Sequence, residues 1–298
     1  MKRIIILVAI ALIGCGLFFS RTRYFNRPEN SALNLKSPAE TIIPANDIFF
    51  EQKYFYPAVA KAKNYGSQEN IKAVIMPHHL LASEIMAGIL ARAKNDKVKN
   101  LIIIGPDHEN KSAAAVGSAY LRWQTPFGQA ATDSRLVSAF LSDLKLYNRP
   151  ESFLNEHSIG AIIPFVKYYY PDAKILPILF NSSAGLSEAQ SVADWLNHNL
   201  DGDSLVIFSL DFSHYLTEHQ AADKDKITKE LILSRDFSKI IKLDSAYVDS
   251  PAGLAAALIY ADDKKLRTKI IYEKNSNDFL EQPAAETTSY FGVLFEDF

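Results

Sequence analysis

Four histidines stand in polar loops where they could bind a metal or move a proton. His78 lies two residues past the apolar run 71–76, His108 four past the run 101–104, and His214 six past the run 204–208. Their segments read Pro77-His78-His79, Gly105-Pro106-Asp107-His108-Glu109 and Ser209-Leu210-Asp211-Phe212-Ser213-His214-Tyr215. The fourth, His157, sits in Asn155-Glu156-His157-Ser158, ahead of another apolar run. Imidazole ligates metals and titrates near neutrality, so chelation and acid–base work are the two chemistries these loops could support. No segment carries H-E-x-x-H, so a site would have to be assembled from several loops. Asn155 or Ser158 could simply cap a helix, leaving His157 as an acid, a base or an orienting group. His198, inside a helical stretch, and His219, in a charged one, are expected to take no part.

The elements that must position these loops alternate between β-rich and helical patterns. Strands are expected at 71–76, 101–104, 173–180, 204–208, 268–272 and 289–295. Helical spacing of apolar residues follows Leu80 and recurs in 133–144, 186–200, 224–233 and 251–260. That order predicts an α/β fold, a single three-layer domain with a mostly parallel or mixed central sheet. In such sheets ligands bind beyond the carboxyl ends of the strands, where His78, His108 and His214 would converge. Pro177 places its strand near an edge or at a bulge.

Composition excludes several alternatives. The 298 residues are 48% hydrophobic and 22% charged, as in globular proteins rather than disordered or collagen-like chains. Lys plus Arg total 32 against 34 Asp plus Glu, so nothing advertises nucleic-acid binding. Cys15 is the sole cysteine, which rules out an internal disulfide and a thiolate zinc cluster. Any metal must be held by histidine and oxygen.

That cysteine belongs to the N-terminal segment 1–19. Lys2 and Arg3 precede sixteen apolar or small residues, 4–19, a length between a signal h-region and a full bilayer span. Leu12-Ile13-Gly14-Cys15 resembles the bacterial lipobox, which implies cleavage before Cys15 and its lipidation; the alternative is a plain uncleaved anchor. Both tether the chain to a membrane, with the domain expected outside the cytoplasm. Arg21 and Arg23 leave a cytoplasm-facing anchor open. Residues 20–47 are polar, contain Pro28, Pro38 and Pro44, and are expected to be a linker to a body spanning 48–298.

Taken together, the histidine segments resemble the Memo family, also described as AmmeMemoRadiSam system protein B. Pro77-His78 matches the start of its Pro-His-Ala-Gly-Tyr motif, from which His79, Leu80 and Leu81 depart, and Gly105-Pro106-Asp107-His108 matches Gly-Pro-Ser-His. Thr125-Pro126-Phe127-Gly128, Glu156-His157-Ser158-Ile159-Gly160 and Ser209–Tyr215 match further motifs in order, from about Ile71 to Phe295. The resemblance implies a fold related to class III extradiol dioxygenases. It implies His78 and His108 as metal ligands and His214 as the acid or base; His157 and Asp211, from their own polar loops, are the further catalytic candidates. The family's third ligand is a cysteine, and the matching segment here is Asp249-Ser250-Pro251, so Ser250 or a carboxylate, Asp249 or Asp211, would take its place.

Three activities stay open on these residues. One is dioxygenase-like redox chemistry on a divalent metal, iron or copper being expected. Another is copper binding or delivery without turnover, and the last is recognition of a peptide, glycan or small molecule on a Memo-like scaffold. Leucine at position 80 would alter the pocket if it lined it, or would begin the next helix's apolar face. Tyr168, Tyr169 and Tyr170 read either as a stacking cluster or as packing and rim residues. Protein partners are not identified, although the family's name implies companions of radical-SAM and AMMECR type.

Overall fold

Continuous apolar runs need cover on both faces, and the chain supplies it by returning a helix after nearly every long strand. A computed structural model of the chain describes residues 39–44 and 49–298. The anchor, the lipobox at Cys15 and most of the expected linker lie outside the described residues. The chain order opens with β1 (Thr41–Ile43), α1 (Gln52–Ala62), β2 (Ile71–Met76), α2 (Ser83–Ala93) and β3 (Asn100–Pro106). Short strands β4 (Val116–Gly117), β5 (Leu121–Thr125) and β6 (Gly128–Ala131) precede α3 (Ser134–Asp143), α4 (His157–Gly160) and α5 (Ile163–Tyr169). Then come β7 (Lys174–Phe180), α6 (Leu186–Asn199), β8 (Ser204–Ser209), β9 (His214–Leu216), α7 (Glu218–Ser234) and α8 (Phe237–Ile240). Helix α9 (Pro251–Asp263) leads into the closing strands β10 (Arg267–Asn275) and β11 (Thr287–Glu296).

The main sheet is mixed and runs β10-β11-β2-β8-β3-β7-β4. Its centre, β2, β8, β3 and β7, is parallel, while β11, β10 and β4 pair antiparallel at its flanks. Alternation divides each central strand between two cores. Ile102, Ile104, Val206 and Phe208 pack with α6 and α9, whereas Leu101, Ile103, Leu205 and Ile207 pack with α1, α2 and α5. The expected three-layer α/β architecture is the one observed.

Strand β2 adjoins β8, which adjoins β3, all pointing the same way. The loops bearing His78, Asp211 with His214, and His108 must therefore leave one edge of the sheet side by side. Pro177 also behaves as its type requires. Its carbonyl accepts from Ser118 Oγ at 2.7 Å on the outer side of β7, so its missing N–H also faces outward, where β4 pairs only with Leu179 and Phe180.

Several elements differ from the sequence expectation. Thr41–Ile43, inside the expected linker, pair with β5, and Ile43 is fully buried, so the folded body starts before Ile48. A three-residue strand leaves no periodicity to detect. Helix α7 begins six residues earlier than expected because Thr217 and Gln220 form a capping box. Leu80 packs against the core at the start of a short 3-10 turn into α2, the second of its two readings. Tyr169 and Tyr170 are buried in the same core, and Tyr168 packs on Phe55 and Phe127, so the three tyrosines are packing residues.

Asp133 caps α3, accepting from the amides of Arg135 and Leu136 at 2.8 and 3.2 Å. Asp133→Ala should lower stability by about 1 kcal/mol in urea unfolding, with most of the loss restored in Asp133→Asn.

Candidate metal centre

His78 is 1% exposed, just past the end of β2. Its backbone N–H donates to Asp211 Oδ1 at 3.1 Å, and its Nδ1 lies 3.0 Å from Ser209 Oγ. Ser209 donates its single hydroxyl proton to the Ser158 carbonyl at 2.5 Å, so it must accept from His78 Nδ1–H. The proton is thereby fixed on Nδ1, and Nε2 carries a bare lone pair. That lone pair is buried without a hydrogen-bond partner, 3.6 Å from Asp211 Oδ2 and 3.5 Å from Asp249 Oδ2. Burial, together with the neighbouring His108 and His157, holds His78 well below the usual imidazole range.

His108 is oriented in the same sense. Glu156 Oε1 accepts from its Nδ1 at 2.8 Å and Oε2 accepts from its backbone amide at 2.9 Å, leaving Nε2 free. Burial would raise the Glu156 carboxyl, but His108 and the amides of Ser158 and His108 hold it down at about 2. Glu156, rather than Asn155 or Ser158, caps α4. The next residue, His157, stacks its ring on His108 at 3.9 Å and meets His78 edge-on at 5.1 Å. Burial and His108 lower its pKa, so it too is neutral at pH 7.

One ring nitrogen from each of His78, His108 and His157 lies within 4.8 Å of the other two. Three ligands of one ion at bonds of about 2.1 Å stand about 3.4–3.6 Å from one another, so the three rings would have to close by up to about 1.4 Å to share one. The loop of His157 beside a carboxylate suggested an acid, a base or an orienting group, and the structure draws it into the candidate ligand cluster. Ser250 is the residue that does not fit the ligand role assigned to its segment: its Oγ accepts from Gly253 N at 3.1 Å and caps α9. Asp249 is the member of that segment facing His78, with Oδ1 buried and unpartnered. Its Oδ2 accepts from Asp211 N at 2.9 Å. Burial and the Asp211 charge push Asp249 well up, while burial raises Asp211 against the opposing pull of His214 and His79.

This corner suits a cation. A lone pair on His78 and oxygens of two buried carboxyl groups converge, and burial drives a proton toward Asp249; a cation seated between them would take that proton's place. A bound ion of nitrogen and oxygen preference fits that donor set.

A cavity of about 680 Å³ opens in front of the cluster. His108, His157, Asp211, His214 and Asp249 reach it, and Phe180, Ile241, Leu243 and Val248 supply apolar wall. His214 Nδ1 is buried without a partner, and burial lowers its pKa against a raising pull from Asp211. Backbone strain marks the same loops: Asn110, Asn155 and Tyr215 have φ of 51°, 59° and 57°. Asn tolerates that region, but Tyr215 does not, and it sits at an irregularity in the β9–β11 pairing that re-aims His214. His198 and His219 lie outside the cavity wall. Glu156, Ser209, His79 and Tyr290 were not singled out from sequence. Glu156, Ser209 and His79 were legible only as members of their motif segments, and Tyr290 carried no signal before folding.

The fold and site define an α/β protein with a strand-end histidine cluster open to a cavity. A family model described as Memo-like protein matches residues 51–293, and the chain belongs to the Memo family. A MEMO1 family protein of Caldivirga maquilingensis is 28% identical over 244 residues, covering 77% of this chain and 84% of that protein. One from Archaeoglobus fulgidus is 25% identical over 274 residues, covering 86% and 97%. The crystal structure of an uncharacterized protein from Escherichia coli K12 aligns at TM-score 0.47 and 11% identity, over 74% of this chain and 99% of that one.

Glu156→Gln should weaken metal binding about 10–100-fold in a chelator competition. Because the Glu156 pKa is depressed in the folded state, its stabilising effect is full above about pH 4.5 and is lost as the pH falls through about 2. The stability gap between wild type and Glu156→Gln should shrink along that course.

Proposed function

We propose that this chain is a metal-dependent oxidoreductase of dioxygenase-like type. The carrying observation is the buried His78 Nε2, its lone pair fixed by Ser209, without a hydrogen-bond partner and facing the carboxyl groups of Asp211 and Asp249. His78, His108 and His157 would hold a divalent ion, with Asp249 and Asp211 supplying negative charge beside it. Imidazole and carboxylate donors without a thiolate favour iron(II), copper(II) or zinc over copper(I). When bound, a redox-active ion would supply Lewis acidity and electron transfer at the floor of the cavity.

The chain's own groups divide the remaining work. His214, which lines the cavity and whose pKa burial lowers, takes a proton from a substrate hydroxyl, and the nearby Asp211 stabilises the imidazolium that results. Glu156 keeps His108 in one tautomer and orientation through the cycle. The apolar wall gives the body of a substrate a surface to pack against. Metal carriage needs no such chamber, so the 680 Å³ cavity favours turnover over storage or delivery.

In the same reading, residues 1–19 tether the chain to a membrane, with Cys15 as the lipidated residue and the domain outside the cytoplasm. The support is the run at 4–19 and Leu12-Ile13-Gly14-Cys15. Among the described residues, no helix is long and apolar enough to cross a membrane.

Elemental analysis of the purified full chain should find about one metal per chain, lost when His78→Ala and His108→Ala are combined. An unmutated protein that takes up no stoichiometric metal after reconstitution with iron, copper or zinc overturns the reading. Loaded protein that never consumes oxygen across a panel of hydroxylated aromatic substrates would shift it to carriage. For the tether, Cys15→Ser should abolish incorporation of a labelled lipid analogue and change processing; identical behaviour would leave a plain anchor helix.

A further inference from the structure

Position 79 is where the chain departs from the Memo motif by placing a second imidazole beside His78, and the structure gives that imidazole a partner of its own. His79 Nδ1 lies 2.6 Å from Tyr290 Oη, and Tyr290 is fully buried in β11. No other group among the described residues hydrogen-bonds this hydroxyl. If His79 donated to it, a buried hydroxyl proton would be left with no acceptor, which folded structures avoid. Tyr290 therefore donates to Nδ1, and the ring proton of His79 sits on Nε2. His79 lines the cavity together with Asp211, His214 and Thr288, and among the described residues its Nε2–H has no protein acceptor. An oriented donor is thus held out toward whatever occupies the cavity.

The charge of the wall narrows the occupant further. Asp107, Asp211, Asp244 and Asp249 line the cavity, and among the described residues no Lys or Arg does. The side-chain amide of Asn181 is also spent, donating to the carbonyls of Ser112 and Ala114 at 3.1 and 3.0 Å. A substrate carboxylate or phosphate would find no guanidinium or ammonium to pair with, and a divalent ion on the histidines would already have its charge offset by Asp211 and Asp249. An apolar body, by contrast, would meet Phe180, Ile241, Leu243 and Val248.

We propose that His79, locked by Tyr290, is a substrate-binding residue, and that the cavity accepts a small molecule with an apolar body and a hydrogen-bond-accepting oxygen, neutral or cationic but not anionic. The proposal rests on the oxidoreductase reading for the site it serves, and it names the substrate class of that site. Tyr290 acts through His79 and is a positioning residue.

The test uses the full chain with its metal content measured, titrated calorimetrically with catechol, dopamine and protocatechuate, which share one ring and differ in charge. Catechol and dopamine should bind, and protocatechuate should bind at least about 10-fold more weakly. His79→Ala should weaken catechol binding about 10-fold at unchanged metal content, with partial recovery in His79→Gln, whose amide keeps a donor. Nitrogen-15 NMR of the imidazoles should show His79 protonated on Nε2 in the wild type and as mixed tautomers in Tyr290→Phe. Protocatechuate binding as tightly as catechol, no binding of catechol or dopamine, an unaffected His79→Ala, or a His79 proton on Nδ1 would each overturn the proposal. Loss of metal from the unmutated protein would instead strike the reading on which it rests.

Discussion

The site depends on one close contact, the seating of α4 against the end of β3. Gly105 lies so near α4 that an added Cβ would stand 2.7 Å from Ser158 Oγ and 2.8 Å from Ser158 Cβ. In that gap Ser158 donates to the Pro106 carbonyl at 2.7 Å, and its own carbonyl accepts from Ser209. The contact thus joins the ends of β3 and β8 to the segment that carries Glu156 and His157. Without it, His108 would lose its carboxylate, and Ser209 the carbonyl that takes its proton and so fixes the His78 tautomer.

Hydrogen-bond direction does the remaining electrostatic work. Ser209 has one proton and spends it on a carbonyl; Glu156 is ionised and can only accept. Both facts push the ring protons of His78 and His108 onto Nδ1, so both Nε2 atoms are left free. Tyr290 does the opposite for His79, forcing its proton onto Nε2. Neighbouring residues in sequence therefore meet the site with opposite chemistry, His78 as an acceptor and His79 as a donor.

The buried carboxylates complete this arrangement. Asp211 and Asp249 are locked to each other through Asp211 N to Asp249 Oδ2 at 2.9 Å and Asp249 N to Asp211 carbonyl at 3.1 Å. Two such groups, 3% exposed in the case of Asp211, are a structural liability in an apolar core unless they act on something. Strain at Tyr215 belongs to the same pattern, since non-glycine residues in the left-handed region persist where surrounding structure over-determines them.

Much of the fold was legible in the chain because its signals are local. The run at 71–76 coincides with β2, and 101–104, 173–180 and 204–208 fall on β3, β7 and β8, since buried parallel strands are continuous apolar stretches ended by polar loops. The same logic placed His78, His108 and His214 at one sheet edge before any contact was seen. What folding alone decided is which atoms meet. Ser250 reads as a ligand in one dimension but caps α9, and His157 reads as an acid–base group but joins the histidine cluster. Glu156, Ser209 and Tyr290 acquire their roles only through partners 48, 131 and 211 residues away. Residue type and local periodicity determined the elements and the edge where chemistry can occur, because propensity and burial act over a few residues. Tautomers, pairings and ligand identity depend on distances across the sheet, and those exist only once the strands are side by side.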